Sequence, residues 1–289
     1  MLPSGFLRDV EAIRLAQGKI LAELNRSKPA MPLSDCEFRV FSQWGEDGII
    51  QKLISVVPVA NRTFIEFGVE DFAEANCRFL LMNNNWSGFV LDANATWVTK
   101  LLSADWLPRY ELEARCTFLT RENINEVLLG SGFARDLGIL SVDVDGIDYW
   151  LLEAIESYTP RILIVEYNAV FGGERCIAVP YDPILSRRAK HYSELYFGAS
   201  LGALAYLAKS KGCSLVGVDS AGVNAFFVRT DLLGDQLKEM AVRDVFVETK
   251  VRQSRNEEGK LNYLGPDARR HEISGMPVVN VETGAMETY

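Results

Sequence analysis

From about residue 60 onward, short apolar runs alternate with segments of helical spacing. The runs cover residues 63–67, 88–91, 111–115, 138–142 and 161–165, and the helical stretches between them cover 73–82, 96–103, 122–129 and 149–157. Apolar strands each followed by a helix predict a mostly parallel sheet with helices on both faces. A helix over 201–211, closed by Gly212, leads to a strand at 214–218. A turn at Asp219-Ser220-Ala221-Gly222 then leads to a second strand at 224–228. Two strands joined this tightly pair antiparallel. The pattern therefore predicts an α/β sandwich of seven strands, mostly parallel, ending in an antiparallel hairpin.

Outside that block the pattern is weaker. Leu7, Val10, Ile13, Ile20, Leu21 and Leu24 form a rough helical stripe over residues 5–25, interrupted by Gln17. The stripe suits the core or a partner subunit equally. Residues 25–32, with two prolines, read as a linker. Residues 232–242 suggest a helix, and the charged stretch 252–260 suggests a loop. The division expected is a helix and linker over 1–37, a Rossmann-like domain over 38–230 and an extension over 231–289.

Composition narrows the classes of function. The 289 residues carry a formal net charge of −9, which disfavours a nucleic-acid partner because phosphates demand a basic face. The basic run Arg187-Arg188-Ala189-Lys190 reads as solvated surface. Five scattered cysteines without a CxxC pair point to reduced thiols rather than a disulfide framework or zinc knuckle. No apolar signal-peptide core or membrane-length run occurs, so a cytoplasmic location without membrane contact is expected.

Candidate chemistry lies at the strand ends, where open α/β sheets bind ligands. In Phe64-Ile65-Glu66-Phe67-Gly68-Val69-Glu70-Asp71, Gly68 permits close approach of a cofactor, and Glu66 is placed to hold its charged amino-acid end. Asp92 closes the next strand some twenty residues on, which suits a double acceptor for ribose hydroxyls; the alternative is a capping aspartate. Asp143 and Asp145 project to one side of the chain in Val142-Asp143-Val144-Asp145-Gly146-Ile147-Asp148, while capping explains Asp145 or Asp148. Asp143 is thus a candidate for cofactor contact. With Glu166 and Asn168 from the fifth strand it also makes a set of oxygen ligands for magnesium or another divalent cation, against the alternative of a hydrogen-bonded polar cluster. His191 is the general-base candidate by residue type, with Asp145 the other.

Several pieces in order resemble the bacterial FkbM-like group of class I methyltransferases that use S-adenosylmethionine. They are Phe41-Ser42-Gln43-Trp44-Gly45-Glu46-Asp47-Gly48, Ile65-Glu66-Phe67-Gly68-Val69, Leu91-Asp92, Asp143-Val144-Asp145-Gly146 and Gly222-Val223-Asn224-Ala225-Phe226-Phe227-Val228. The resemblance spans roughly residues 38–230. A second glycine of the family's first motif is absent, with Glu70-Asp71 in its place. The resemblance implies that Gln43 helps close the cofactor pocket. It also implies O-methylation of a sugar or another small hydroxylated metabolite, free or nucleotide-linked, with a homo-oligomer compatible. Two other readings compete: a nicotinamide-dependent Rossmann oxidoreductase, disfavoured by the missing GxGxxG, and a non-catalytic metabolite-binding member of the fold.

Overall fold

A computed structural model describes residues 4–28, 30–184 and 186–289. The chain runs α1 (Ser4–Ser27), α2 (Glu46–Val56), β1 (Thr63–Phe67), α3 (Arg78–Asn84), β2 (Ser87–Asp92), α4 (Ala95–Leu102), β3 (Leu112–Cys116), α5 (Ile124–Leu129) and β4 (Ile139–Val142). It continues with α6 (Asp148–Ala154), β5 (Ile162–Glu166), β6 (Ile177–Ala178), α7 (Arg187–Lys190), α8 (Leu201–Ser210), β7 (Cys213–Val218) and β8 (Asn224–Arg229). The last elements are α9 (Val242–Val245), α10 (Pro266–Glu272), β9 (Pro277–Asn280) and β10 (Met286–Thr288).

Seven strands form one sheet in the order β3-β2-β1-β4-β5-β8-β7. The pairs β1–β2, β2–β3, β1–β4 and β4–β5 are parallel, and β8 lies antiparallel between β5 and β7. This is a Rossmann-like α/β sandwich, closed by the expected hairpin. Alternation along the strands builds two cores. Ile65, Phe67, Leu140, Val142, Leu163 and Phe227 face one layer, while Phe64, Ile139, Ile162, Ile164 and Phe226 face the other. The chain changes direction across the sheet between β1 and β4, which makes their carboxyl ends the natural crevice.

Two of the expected helices change. The helix expected at 73–82 starts only at Arg78, because residues 68–77 first wrap around the buried Glu66. No helix spans 232–242; α9 begins only at Val242. The chain there runs along the sheet edge, where the Met240 amide donates to the Leu215 carbonyl (2.8 Å) and satisfies an otherwise open edge strand. Helix α1 exists, but its apolar stripe faces outward. Ile13, Ile20, Leu21 and Leu24 are exposed, while Leu15 and Ala22 pack on the cluster of Phe38, Val40, Phe41 and Phe79. The expected linker overlaps this helix through Ser27, and its Pro29 lies outside the described residues.

The C-terminal segment is tied into the body. β9 pairs with β6 and β10 in a small sheet that the short strands left illegible in sequence. Gly222, at φ +73°, lets residues 247–249 cross the hairpin turn; a Cβ there meets the Val247 carbonyl oxygen at 2.7 Å. The Lys250 amide then donates to the Ala221 carbonyl (2.7 Å). All five cysteines are free. Among the described residues, no helix is long and apolar enough to cross a membrane.

Candidate active site

A cavity of about 800 Å³ opens at the carboxyl ends of β1, β2, β4 and β5. That volume suits a cofactor with a small substrate. One wall is the turn after β1. Gly68 has φ +69°, and its amide donates to the Leu91 carbonyl (2.9 Å). Glu70 and Phe72 also adopt positive φ, at +49° and +59°. Such backbone persists only where packing holds it. Phe72 is buried and stacks on Phe64 with ring centroids 6.4 Å apart. The Glu70 amide is held by Asp92 Oδ2 (2.8 Å).

Asp92 is half-buried at the cavity wall, and its Oδ1 accepts from the Asn94 amide (2.7 Å). Each carboxylate oxygen retains a lone pair for a further donor. Glu66 also borders the cavity, and both of its oxygens are held by backbone amides. Oε1 accepts from the Asn76 amide (2.7 Å) and Oε2 from the Cys77 amide (3.0 Å), so the carboxyl anchors the loop that shapes the wall. Burial pushes it up to about 7, against the pull of those two hydrogen bonds.

Gln43 and Trp44 stand exposed at the rim. Their loop is folded around two acids at the start of α2. Glu46 Oε2 accepts from the Trp44 and Gly45 amides (2.8 Å each), and Asp47 Oδ2 accepts from the amides of Val40, Phe41 and Ser42 (2.7, 2.7 and 2.9 Å). Asn224 of β8 donates to Glu46 Oε1 (2.8 Å) and ties this rim to the hairpin.

The floor carries the densest charge. Asp143, Asp145 and Glu166 each bring one oxygen within 4.8 Å of the others. Asp148 lies behind them and caps the turn, accepting from the amides of Val144 (2.7 Å) and Gly146 (3.0 Å), so capping falls to Asp148. Arg187, read in sequence as solvated surface, enters this cluster. It donates to Glu166 Oε2 (2.7 Å), pairs with Asp145, and lies over the Phe197 ring with its guanidinium carbon 3.4 Å from the centroid. Burial opposes its charge, but Glu166, Asp145 and Asp143 more than offset that and keep it protonated. Glu166 is pushed up to about 7 by burial, with Arg187 pulling the other way. Asp143 is raised well above the usual carboxylate range by burial and then by Glu166, Asp145 and Asp148. Its carboxyl borders the cavity and makes no hydrogen bond among the described residues.

Two expected site residues stand apart from this group. Asn168 borders the cavity but is buried, with three hydrogen bonds to backbone. Oδ1 accepts from the Val170 amide (3.0 Å), and Nδ2 donates to the carbonyls of Leu195 and Phe197 (2.9 Å each), so its amide holds the loop beside the cavity that it borders. Asp145 is the third acid of the cluster. His191 is not among the residues lining the cavity. Its Nδ1 meets Ser193 Oγ (2.7 Å), its ring stacks on Tyr192 at 4.4 Å, and burial lowers its basicity. It shapes the loop that carries Glu194, Leu195 and Phe197 to the cavity. Sequence reasoning missed Arg187 and the whole contribution of the C-terminal segment, which places Thr249, Val251, Gln253 and Arg269 on the wall. The available signal for Arg187 was a surplus of acids at the ends of β4 and β5 with no basic side chain assigned to them.

No protein-family model matches the chain, and no curated protein matches its sequence. Among solved structures, it is similar to the N-terminal domain of EvdMO1 with SAH bound (TM-score 0.40, 11% identity, 65% of this chain and 81% of that one). It is also similar to magnesium protoporphyrin IX methyltransferase (ChlM) from Synechocystis with bound SAM (TM-score 0.40, 10% identity, 64% and 77%). A third likeness is to an O-methyltransferase family protein from Burkholderia thailandensis (TM-score 0.38, 12% identity, 64% and 58%). These likenesses are remote, and the fold class rests on the strand order itself.

Proposed function

We propose that the chain is an S-adenosylmethionine-dependent methyltransferase acting on a hydroxyl of a small metabolite, a sugar or a sugar-like molecule. One observation carries the reading. The positive-φ turn at Gly68 and the carboxylate of Asp92 stand at adjacent parallel strand ends and border one cavity in a sheet of this order. A glycine turn beside an acidic strand end suits a nucleoside and its backbone contacts. The motifs that resemble the FkbM-like group support the same reading. Binding of S-adenosylmethionine and S-adenosylhomocysteine, measured by calorimetry with NAD as control, tests it.

S-adenosylmethionine, when bound, supplies an electrophilic methyl group on a positively charged sulfur. Asp92 would hold the ribose hydroxyls, the turn at Gly68 would admit the cofactor against the backbone, and Gln43 would cover it from the rim. An acidic floor favours a cationic sulfur electrostatically. The acceptor hydroxyl must lose a proton as its oxygen gains the methyl group. Asp143 is the best-placed base. Its carboxyl faces the cavity, is free of hydrogen bonds among the described residues, and has its basicity raised by burial and neighbouring acids. Asp145 and Glu166 orient Arg187, which balances their charge and keeps the floor from repelling itself.

A second reading has a specific observation in its favour. Asp143, Asp145 and Glu166 offer hard oxygen donors at the spacing a divalent cation such as magnesium takes, and such an ion would polarise the acceptor oxygen. Arg187 already gives two of those carboxylates a positive partner, so a metal has to compete with it. Chelation separates the two: turnover that survives EDTA supports the guanidinium, and turnover lost to EDTA and restored by magnesium supports the metal.

A further inference from the structure

The cavity holds a second guanidinium whose situation is the reverse of Arg187's. Arg269 lies on α10, is 3% exposed and borders the cavity. One Nη donates to the Val251 carbonyl, while Nε is buried with no partner. Among the described residues, no carboxylate forms an ion pair with it. The acids near it in sequence or on the adjoining loops are engaged elsewhere: Asp267 and Glu248 with Arg270, Glu194 with Arg255. Glu272, on the same helix, forms no ion pair with it among the described residues and acts on the Tyr192 hydroxyl, whose pKa it raises. Burial and the nearby Arg252 both push the Arg269 guanidinium down, the signature of a charge without a counter-charge. A buried cation left in this state is costly, and native structures rarely leave one unmatched.

We propose that Arg269 is the anchor of an oxyanion site, so that the acceptor carries a phosphate or carboxylate group that closes on this guanidinium. A guanidinium presents paired donors in a plane that matches either oxyanion. Thr249 and Gln253 border the same cavity and add neutral hydrogen-bonding groups. The rest of the cavity gives the site a direction. The floor's own guanidinium, Arg187, is already held by Asp145 and Glu166, so an anionic acceptor lodges its charged end at Arg269 and leaves a hydroxyl free to reach Asp143. This assignment of the anion to the acceptor rests on the methyltransferase reading; the oxyanion site itself does not.

Calorimetric titration of the full chain with inorganic phosphate and with acetate, at matched ionic strength and with and without saturating S-adenosylhomocysteine, tests it. Saturable binding of one of the two, retained with the cofactor product present, is expected. The phosphate arm marks a phosphorylated acceptor and the acetate arm a carboxylated one. Arg269→Gln is expected to weaken that binding about tenfold or more while S-adenosylhomocysteine affinity stays within about twofold, and Arg269→Lys to fall between. Should Arg269→Gln fail to fold, the wild-type arms and the lysine variant decide. Binding of neither anion, or binding unchanged in the variants, overturns the proposal. Loss of anion binding when S-adenosylhomocysteine is present overturns its assignment to the acceptor, giving the guanidinium to the cofactor's carboxylate. Arg269-dependent anion binding without any S-adenosylhomocysteine binding leaves the oxyanion site standing and removes the methyltransferase reading.

Discussion

Gly68 and Asp143 fit together so closely that a Cβ built at position 68 falls 1.7 Å from the Asp143 carbonyl oxygen. The first strand's turn and the fourth strand's exit are thus in backbone contact, and no side chain fits between them. Gly68→Ala suffers twice, from the positive φ and from this clash. It is expected to cost about 3 kcal/mol or more in a denaturant titration and to abolish cofactor binding in whatever fraction folds. A stability within experimental error of the wild type contradicts this geometry.

Asp92 is expected to act on binding rather than on chemistry. Asp92→Asn retains one acceptor oxygen and Asp92→Ala retains none. Affinity for S-adenosylhomocysteine is therefore expected to fall about tenfold or more in the alanine variant and less in the asparagine one. Equal affinities across the three proteins reject the ribose role.

Asp143 is expected to act on chemistry rather than on cofactor binding. Asp143→Asn is predicted to lower kcat roughly a hundredfold, with S-adenosylhomocysteine affinity changed by no more than about twofold. The rise of rate with pH that reports deprotonation of the base disappears with it. A pH profile that keeps its acidic limb in the variant assigns the base elsewhere.

His191→Ala separates the structural reading of this histidine from the catalytic one. The side chain lies outside the cavity lining and holds Ser193, so kcat is expected to stay within about twofold of wild type. The measurement is a steady-state rate on the same acceptor. A loss as large as that expected for Asp143→Asn returns His191 to the reaction.

Three buried acids tie stability to pH. Burial pushes Asp47 up to about 6, and Glu66 and Asp219 up to about 7, from ordinary values of 3.8 and 4.5. Folding therefore favours their protonated forms. Their contribution to stability is fully present below about pH 4 and is lost as pH rises through 6 and 7. Urea midpoints are expected to decline between pH 5 and pH 7.5 on this account. A midpoint that rises over that interval contradicts the direction of these shifts.

The sheet was legible because most of its strands bury both faces and so read as apolar runs; β3, at the edge, is only partly buried. Residues 63–67 match β1, and the remaining runs fall within a residue or two of their strands. Position on the sheet was equally legible, which is why Gly68, Asp92, Asp143 and Glu166 all reach the cavity. Partnership was not. Whether Glu66 faces a ligand or two backbone amides depends on the path of residues 68–77, which no periodicity encodes. Asn168 looked like a ligand by residue type, yet its amide ties down a loop nearly thirty residues on. Arg187 and Arg269 come from segments without a strong pattern, and their meaning lies in what surrounds them. The outward face of α1 shows the same limit: a helical stripe reveals a helix but not which side meets the body.

The central claim is that the cavity beside Gly68 and Asp92 takes S-adenosylmethionine. Calorimetric titration of the chain with S-adenosylmethionine and S-adenosylhomocysteine, against NAD, tests it most directly. Saturable binding of both, with none of NAD, is the predicted result. Binding of NAD alone, or of no nucleoside cofactor at all, contradicts the claim.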